Sequence, residues 1–278
     1  MGLSFSEDVN QYELKLSPTA DDGLFLSGET TEPIPLGLLP GEAPREGGRS
    51  GQSLNGPIPW VHGQVGEWQL YHLHDTSRMQ KTASVDDNRF LRPDGSNLAA
   101  FLYYLREKHR DSYDSIRATV QSVAPFFDDF SLEPVSVNLD TIKLEWKHKI
   151  SDQYFGASSL SDGTLRFIAL AALFLQPVGH RTSVILVDEP ELGLHPYAIG
   201  MLASLIRQAS VDTQVIVSTQ SSPLLDYFKP HEVLVADRVG GSTQITRLDS
   251  ARLASWLEEY SLGQLWEKNE FGGRPVEK

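Results

Sequence analysis

The sequence predicts an α/β fold with a crossover-connected sheet, and three features of residues 151–278 support this prediction. Helix-like and strand-like segments alternate along the stretch, which is the order that crossover connections between parallel strands require. Ser183 to Val187 is a continuous apolar run, typical of a central strand covered on both faces. Leu165 to Gln176 is apolar nearly all round, which predicts a helix buried in the core.

The other elements of this stretch follow from shorter patterns. Pro196 to Ala209 predicts a helix with proline in its first turn. Val215 to Val217 predicts a second buried strand. Two further strands, separated by two glycines, are predicted at residues 233–235 and 244–248.

Residues 67–150 mix the two periodicities. Trp68 to Leu73 alternates like a strand, and residues 135–150 alternate again. Asn97 to Lys108 and Asp111 to Ala124 carry apolar residues at helical spacing, so both predict amphipathic helices. We expect a mixed strand and helical subdomain here, followed by a separate lobe over residues 151–278.

Residues 1–66 give a weaker signal. Tyr12 to Leu16 alternates over a few positions and predicts a short strand. Gly37 to Pro59 is rich in glycine, proline, serine and charge, and such a segment buries too little apolar surface to offset its ordering entropy. We therefore expect a flexible loop over residues 37–59.

The composition excludes several classes of function. The 278 residues include no cysteine, which rules out disulfides, thiolate metal sites and cysteine nucleophiles within them. The formal net charge is −13, which disfavours nucleic-acid or anionic-membrane binding as the main task, although a local basic groove stays open. The longest apolar run, Phe167 to Leu175, is far shorter than the roughly 20 residues that span a bilayer. We expect a cytoplasmic protein with no membrane contact.

Two adjacent carboxylates, Asp188 and Glu189, end the apolar strand at residues 183–187. Ligands of open α/β sheets bind at the carboxyl ends of the strands. Asp188 can hold Mg²⁺, through water because this ion dehydrates reluctantly, and Glu189 can polarise an attacking water. The alternative is a solvated strand end that carries two surface acids.

Two further segments have both a functional and a structural interpretation. Ser161 is a good helix N-cap, and Gly163 allows a phosphate to approach the helix start; the alternative is an ordinary serine-capped helix. Val215 to Ser221 is a strand that ends in polar residues able to reach a γ-phosphate, or simply turns into a loop. His72, His74 and Asp75 are either metal ligands or parts of a strand and its turn.

In this order, the three segments resemble the ABC ATPase superfamily, and within it the RecF-like and SMC-like predicted ATPases of bacteria. The matching residues are Leu160–Thr164 for the signature, Val184–Glu189 for Walker B, Glu191–Pro196 for the D-loop region and Ser218–Ser221 for the switch. The C-terminal residues 260–269 and 272–275 also resemble this group. The resemblance covers about residues 68–278.

The resemblance implies the fold of an ABC ATPase head. Such a head has a P-loop NTPase-like, mainly parallel sheet with helices on both faces, plus an antiparallel β and helical subdomain. Residues 1–66 would be the remnant of an N-terminal lobe whose first part is missing, and residues 151–278 the signature and Walker B lobe. Two heads would sandwich two nucleotides head to tail, with ATP and Mg²⁺ as cofactors and a second copy or another ATPase head as partner.

The resemblance also implies roles for single residues. By position, Asp188 supports Mg²⁺, Glu189 is the general base, and Gln220 stands at the catalytic switch position. The signature residues that would contact the nucleotide of the opposite head, and the D-loop residues beside them, are Ser161, Asp162, Gly163, Gly193 and His195.

Two departures from the family pattern bear on activity. The switch position is usually histidine, and Gln220 can donate to a phosphate oxygen but cannot carry a proton charge, which predicts slow hydrolysis. The Walker A pattern G-x-x-x-x-G-K-[ST] occurs nowhere, and Gly47 to Ser50 has no lysine and no following apolar helix. The nucleotide site is therefore expected to be incomplete in this chain.

Three functions fit this expectation. The chain is an ATPase head with an incomplete site, a degenerate head that serves as an interaction module, or a head that drives a DNA-repair or defence effector. Direct contact with DNA stays open, as do the partner and the process that the ATP cycle serves.

Overall fold

The computed structural model describes residues 2–5, 10–18, 24–33, 68–239 and 242–273. The chain divides into two compact units, Met1–Gly66 and Glu67–Lys278. In the first unit, β1 (Gly2–Phe5), β2 (Asn10–Pro18) and β3 (Leu24–Pro33) form an antiparallel sheet in that order. The strand predicted at residues 12–16 lies within β2 and is confirmed. The segment 37–59, predicted to be flexible, lies outside the described residues.

The second unit alternates strands and helices. Its elements are, in chain order, β4 (Gln69–Tyr71), β5 (Ala83–Ser84), α1 (Leu98–Lys108), α2 (Arg110–Val123), β6 (Phe127–Ser131), β7 (Pro134–Val135), β8 (Asn138–Ile142), β9 (Glu145–His148), β10 (Tyr154–Gly156), α3 (Asp162–Leu175), β11 (Val184–Asp188), α4 (Pro196–Ala209), β12 (Gln214–Ser218), α5 (Ser222–Leu225), β13 (Leu234–Val239), β14 (Ser242–Arg247), α6 (Ser250–Leu253) and α7 (Leu262–Glu267). The predicted helices and strands are present, with ends shifted by a few residues.

A parallel sheet with the strand order β12-β11-β4 lies at the centre of this unit. The neighbours of β11 in the sheet are far from it in sequence, so the connections are crossovers through the helices, as the sequence predicts. The result is a mixed α/β fold in which helices flank a parallel sheet, and the predicted fold class is confirmed. In the described part of the chain, no helix is both long and apolar enough to cross a membrane.

Helix α3 is the centre of the core. Every residue from Leu165 to Leu175 is buried, because helices α2 and α4 pack on it and the sheet lies alongside. One hydrophobic cluster extends from Tyr71 to Leu224, through residues of both predicted lobes. A smaller cluster holds the β13–β14 hairpin against α6 and α7.

Antiparallel pairs form around this centre. One sheet has the order β10-β9-β6 and another the order β5-β8-β7. Within them, Ile142 and Trp146 are buried, whereas Val137 and Leu139 are 94% and 70% exposed. The alternation over residues 135–150 therefore predicts strands correctly but does not mark a buried face at its beginning, because Val137 lies in the turn between β7 and β8 and Leu139 on the exposed part of β8.

One face of the parallel sheet is partly exposed in the part of the chain that the structure describes. Leu186 of β11 pairs in register with Leu70 of β4 and Ile216 of β12, and these two outer side chains are 46% and 40% exposed. We call these three residues the open row. Val215 and Val217, on the opposite face, are half-buried. The prediction that residues 215–217 form a buried strand is thus wrong for Ile216, because the face of the sheet that carries it is partly exposed among the described residues, and Val215 and Val217 are only half-buried.

Candidate functional site

Three polar residues line up where the parallel strands end. Asp188 pairs with Ser218, whose hydroxyl donates a hydrogen bond to the Asp188 carboxylate. Val187 pairs with Tyr71, so His72 follows β4 at the level of Asp188, and its Nδ1 is 3.4 Å from Asp188 Oδ2. Because alternate residues of a strand share a face, this polar row continues the open row toward the carboxyl end of the sheet.

Glu189 and Gln220 are brought together from positions 31 residues apart. Gln220 Nε2 donates to Glu189 Oε1 at 3.0 Å. The backbone N–H of Glu189 donates to Ser218 O at 2.9 Å, which extends the strand pairing by one step. Glu189 has φ +39°, a backbone conformation that L residues rarely adopt and that costs on the order of 1–3 kcal/mol. The two residues predicted to be catalytic therefore share one hydrogen-bonded and strained corner.

Glu191 is a third acid at this corner that the sequence analysis does not assign to catalysis. It is only 9% exposed, and the Thr219 hydroxyl donates to its Oε1. Its Oε2 is buried with no hydrogen-bond partner among the described residues. Burial raises the pKa of the Glu191 carboxyl, while the bond from Thr219 acts in the opposite direction. Thr219 also accepts from Ser221 N, so Glu191 ties the D-loop region to the switch segment.

The segment that resembles the signature begins α3, at the helix start that the sequence predicts. Ser161 is its N-cap, with extended backbone and a hydroxyl that accepts from Thr164 N at 3.2 Å. The Asp162 carboxylate accepts from the Thr76 hydroxyl, which ties the helix start to the segment after β4. Ser161 and Asp162 are both exposed, whereas Gly163 and Thr164 are half-buried, so the helix start is accessible mainly at its first two residues.

The D-loop region packs directly on this helix start. A Cβ added to Gly163 would lie 2.2 Å from Gly193 O, so a side chain at residue 163 is excluded by backbone. Gly193 itself has φ +74°, which favours glycine. Ser161, Gly163, Gly193 and His195 line one small cavity. Close approach of the D-loop is therefore a structural reason for Gly163, beside the access to phosphate that the sequence predicts.

His195 caps the next helix. Its Nδ1 accepts from Tyr197 N at 3.2 Å, at the start of α4. Because Nδ1 is an acceptor, the neutral ring carries its proton on Nε2. The side chain is exposed at the edge of the signature cavity. His195 therefore caps α4 and lines this cavity at the same time.

Arg166 holds the start of α3 against the D-loop region and the segment after β4, and we call this contact region the signature junction. The sequence analysis does not identify this residue. The residue is 4% exposed, and its guanidinium donates to Leu73 O at 2.9 Å and His74 O at 3.0 Å. It also donates to Leu192 O in the D-loop region. Burial lowers the pKa of Arg166, and Asp162 acts in the opposite direction. An arginine inside an otherwise apolar helix was the available signal, because a buried guanidinium needs several partners.

Of the alternative metal ligands, two have other partners. His74 Nε2 is 3.0 Å from Asp188 O, and the Asp75 carboxylate caps a short turn through Ser77 and Arg78. Within the described ranges, no group of three or more His, Asp or Glu side chains is placed to hold a metal ion. His74 and Asp75 therefore belong to the segment that follows the strand, whereas His72 faces Asp188.

Comparison with solved structures shows limited likeness to SMC heads. One match, from work on ATP-driven dimerization and DNA-stimulated activation of SMC ATPases, has 19% identity and a TM-score of 0.43, and covers 56% of this chain and 94% of that one. An Smc head bound to the C-winged helix domain of ScpA has 15% identity and a TM-score of 0.49, over 67% and 57%. The SMC head domain from Thermotoga maritima has 16% identity and a TM-score of 0.38, over 54% and 52%.

These likenesses are too low to assign a role to any residue, and the chain spans only about half the length of the last two structures. No curated protein matches the chain. A family model does match, over residues 42–226, which is more than half of the chain, and its description is "AAA domain, putative AbiEii toxin, Type IV TA system". The matched stretch contains both strand-end acids and the segments that resemble the signature and the switch. The chain therefore belongs to this family of AAA-domain ATPases.

Proposed function

We propose that this chain is the signature and Walker B part of an ATP-binding and ATP-hydrolysing head that works head to tail with a second head. The observation that carries the proposal is the corner at which Asp188, Glu189 and Gln220 meet at the carboxyl end of the parallel sheet. Membership in an ATPase family supports the reaction type. The strained backbone of Glu189 supports a functional role, because such strain is kept where the geometry is needed.

At this corner Glu189 is the general base and Gln220 orients it. The amide of Gln220 donates to the carboxylate and leaves the other oxygen, Oε2, to accept from an attacking water. Glutamine cannot take up a proton, so the pair has no second group to receive one. We therefore expect slow turnover.

Asp188 is the residue that fits a magnesium ion. Its side chain is 34% exposed, and one carboxylate oxygen is held by Ser218 while the other lies 3.4 Å from His72 Nδ1. Mg²⁺ is usually held by one or two carboxylates together with phosphate and water. When bound, the ion would neutralise phosphate charge and help to orient the nucleotide.

The signature acts on the nucleotide of the opposite head. Ser161 caps a 14-residue helix whose start is exposed at Ser161 and Asp162, and N–H groups at a helix start attract anions. Asp162 is held by Thr76, and Gly193 and His195 lie beside the same cavity. This half of the site needs no phosphate-binding loop in its own chain.

The nucleotide site at Asp188 is incomplete within these residues. The sequence contains no G-x-x-x-x-G-K-[ST] segment, so the nest of N–H groups and the lysine that hold phosphates are lacking. We predict that the chain alone binds ATP–Mg²⁺ weakly. Calorimetric titration is the measurement, and low-micromolar affinity would contradict the prediction.

We also propose a homodimer or a pair with another ATPase head, in the cytoplasm, that drives an effector in DNA repair or defence. The description of the family, which names a putative toxin of a toxin–antitoxin system, supports a defence role. The net charge of −13 argues against DNA as the main ligand of this chain. A degenerate head that only binds a complete ATPase is the alternative, and the assay below separates the two.

The experiment mixes this chain with a family head that has its own phosphate-binding loop but whose signature serine has been replaced by arginine. ATP turnover should rise on mixing, because Ser161 and Gly163 complete the partner's site. Ser161→Arg in this chain should abolish the rise. Glu189→Gln should leave most of the rise in turnover, because that carboxylate serves this chain's own nucleotide site, which lacks a phosphate-binding loop.

The matched control is Ser261→Arg, which removes another serine N-cap, at the start of α7 and outside the signature. It should leave the rise intact if the loss in Ser161→Arg is specific. If Glu189→Gln abolishes the rise and Ser161→Arg does not, the proposed roles of the two motifs are reversed. Binding on gel filtration with no rise in turnover would favour the degenerate head.

A further inference from the structure

His72 lies beside the proposed cation ligand, and the ATPase role described above does not use it. Its Nδ1 is 3.4 Å from Asp188 Oδ2, and the two side chains are 54% and 34% exposed, so solvent reaches both. Asp188 Oδ1 accepts from the Ser218 hydroxyl. The oxygen that remains for a cation is therefore the one that faces the imidazole.

The strand register puts His72 in this place. Tyr71 pairs with Val187 and is the last residue of β4, so His72 is the first residue beyond that strand. Asp188 pairs on its other side with Ser218. The imidazole and the carboxylate thus lie side by side on one face of the sheet, and the Ser218 hydroxyl holds the carboxylate from its other side.

The separation of the two atoms suits a shared cation. An ion pair with an N–H donor is about 2.7–2.9 Å long, and the observed 3.4 Å exceeds this. Two ligands that hold one ion at about 2.0–2.2 Å lie roughly 3.0–3.4 Å from each other, depending on the coordination geometry. Nδ1 and Oδ2 are therefore spaced as neighbouring ligands without movement of the backbone.

We propose that His72 is a ligand of the divalent cation at Asp188, through Nδ1, and shifts the preference of the site from Mg²⁺ toward a transition metal such as Mn²⁺. Imidazole nitrogen favours transition metals, whereas Mg²⁺ favours oxygen ligands. The ligating ring carries its proton on Nε2, which leaves the Nδ1 lone pair for the ion. This inference rests on the proposed function of Asp188 as the cation ligand.

The test uses Mn²⁺ as the probe and the full chain in excess over it. Pulsed electron paramagnetic resonance detects a nitrogen bound directly to Mn²⁺, which a merely structural histidine would not give. We expect the signal of one imidazole nitrogen in the native chain and none in His72→Asn. His72→Asn should also bind Mn²⁺ roughly tenfold more weakly, with a smaller change for Mg²⁺.

His74→Asn is the matched control, because this neighbouring imidazole lies edge-on to the His72 ring and its Nε2 contacts the backbone oxygen of Asp188, not its carboxylate. It should keep the nitrogen signal, and a signal that is lost with His74 and kept without His72 overturns the inference. If Mn²⁺ binding depends on Asp188, as Asp188→Asn would reveal, but no nitrogen signal is seen, His72 is not a ligand and the proposed function stands. If Mn²⁺ binding is absent or does not depend on Asp188, the cation role of Asp188 fails together with the inference.

Discussion

The signature junction is held by internal contacts, whereas the carboxyl end of the parallel sheet is exposed to solvent. At the junction, Arg166 donates to three backbone oxygens and Gly163 lies directly against Gly193 O. At the sheet end, Asp188 and Gln220 are accessible to solvent, and the outer members of the open row, Leu70 and Ile216, are partly exposed among the described residues. The residues that would serve a neighbouring head are therefore held in place by internal contacts, whereas the residues that would hold this chain's own nucleotide are exposed.

The largest effect is expected for Arg166→Ala, which removes the hydrogen bonds that hold the signature junction together. The change leaves the oxygens of Leu73, His74 and Leu192 without their charged donor, and hydrogen bonds to charged groups contribute about 1.5–3 kcal/mol each. We expect the free energy of unfolding, measured by urea denaturation, to fall by about 3 kcal/mol or more. Arg78→Ala, which removes an exposed and paired arginine, should leave the midpoint nearly unchanged. Equal losses of unfolding free energy in the two variants would show that Arg166 does not stabilise the signature junction.

Gly163→Ala tests the contact between the signature and the D-loop. The added Cβ meets Gly193 O at 2.2 Å, so backbone must move, and overpacking of this kind costs about 1–3 kcal/mol. Unfolding free energy should fall by that amount, and stimulation of a partner head should be lost. Gly179→Ala is the control, since nothing lies within 4 Å of its added Cβ. A Gly163→Ala chain as stable as the native one would show that the contact is loose.

Glu191→Gln tests the buried acid between the two regions. Because burial raises its pKa above the ordinary 4.5, the folded chain binds more protons than the unfolded chain once the pH exceeds that value. Its contribution to stability is therefore complete at lower pH and declines as the pH rises through the folded pKa. The neutral amide should remove this decline and stabilise the chain at neutral pH by about 1 kcal/mol. Urea denaturation at several pH values measures the free energy of unfolding, and the same pH dependence in the variant and the native chain would contradict the assignment.

The smallest effect is expected on the open row. Ile216 is 40% exposed, so Ile216→Ala should cost less than about 1 kcal/mol of unfolding free energy. Ile185→Ala, on the buried face of the same sheet, should cost about 2–5 kcal/mol. Thermal or urea unfolding compares the two variants. If they are equally destabilised, the face that carries Ile216 is covered and the sheet end is not open.

The sequence was a good guide to elements and motifs, because these depend on local periodicity and local chemistry. The apolar run before Asp188, the serine before α3 and the proline that begins α4 predict their strand, cap and helix correctly. The exposure of Ile216 could not be predicted in this way. An apolar strand has the same pattern whether or not another element covers it, so its burial depends on which other elements are present.

By itself, the sequence determined the order of the elements, the residues at the strand ends and the family resemblance. Only the tertiary structure decided which of those residues meet: Gln220 with Glu189, Glu191 with Thr219, His72 with Asp188, and Arg166 with the D-loop region. Hydrogen bonds between residues that are 28 to 31 positions apart, as in the first two pairs, leave no periodic trace in a sequence. They arise because parallel strands place distant residues side by side, and the register of that pairing is set by the packing of the whole core.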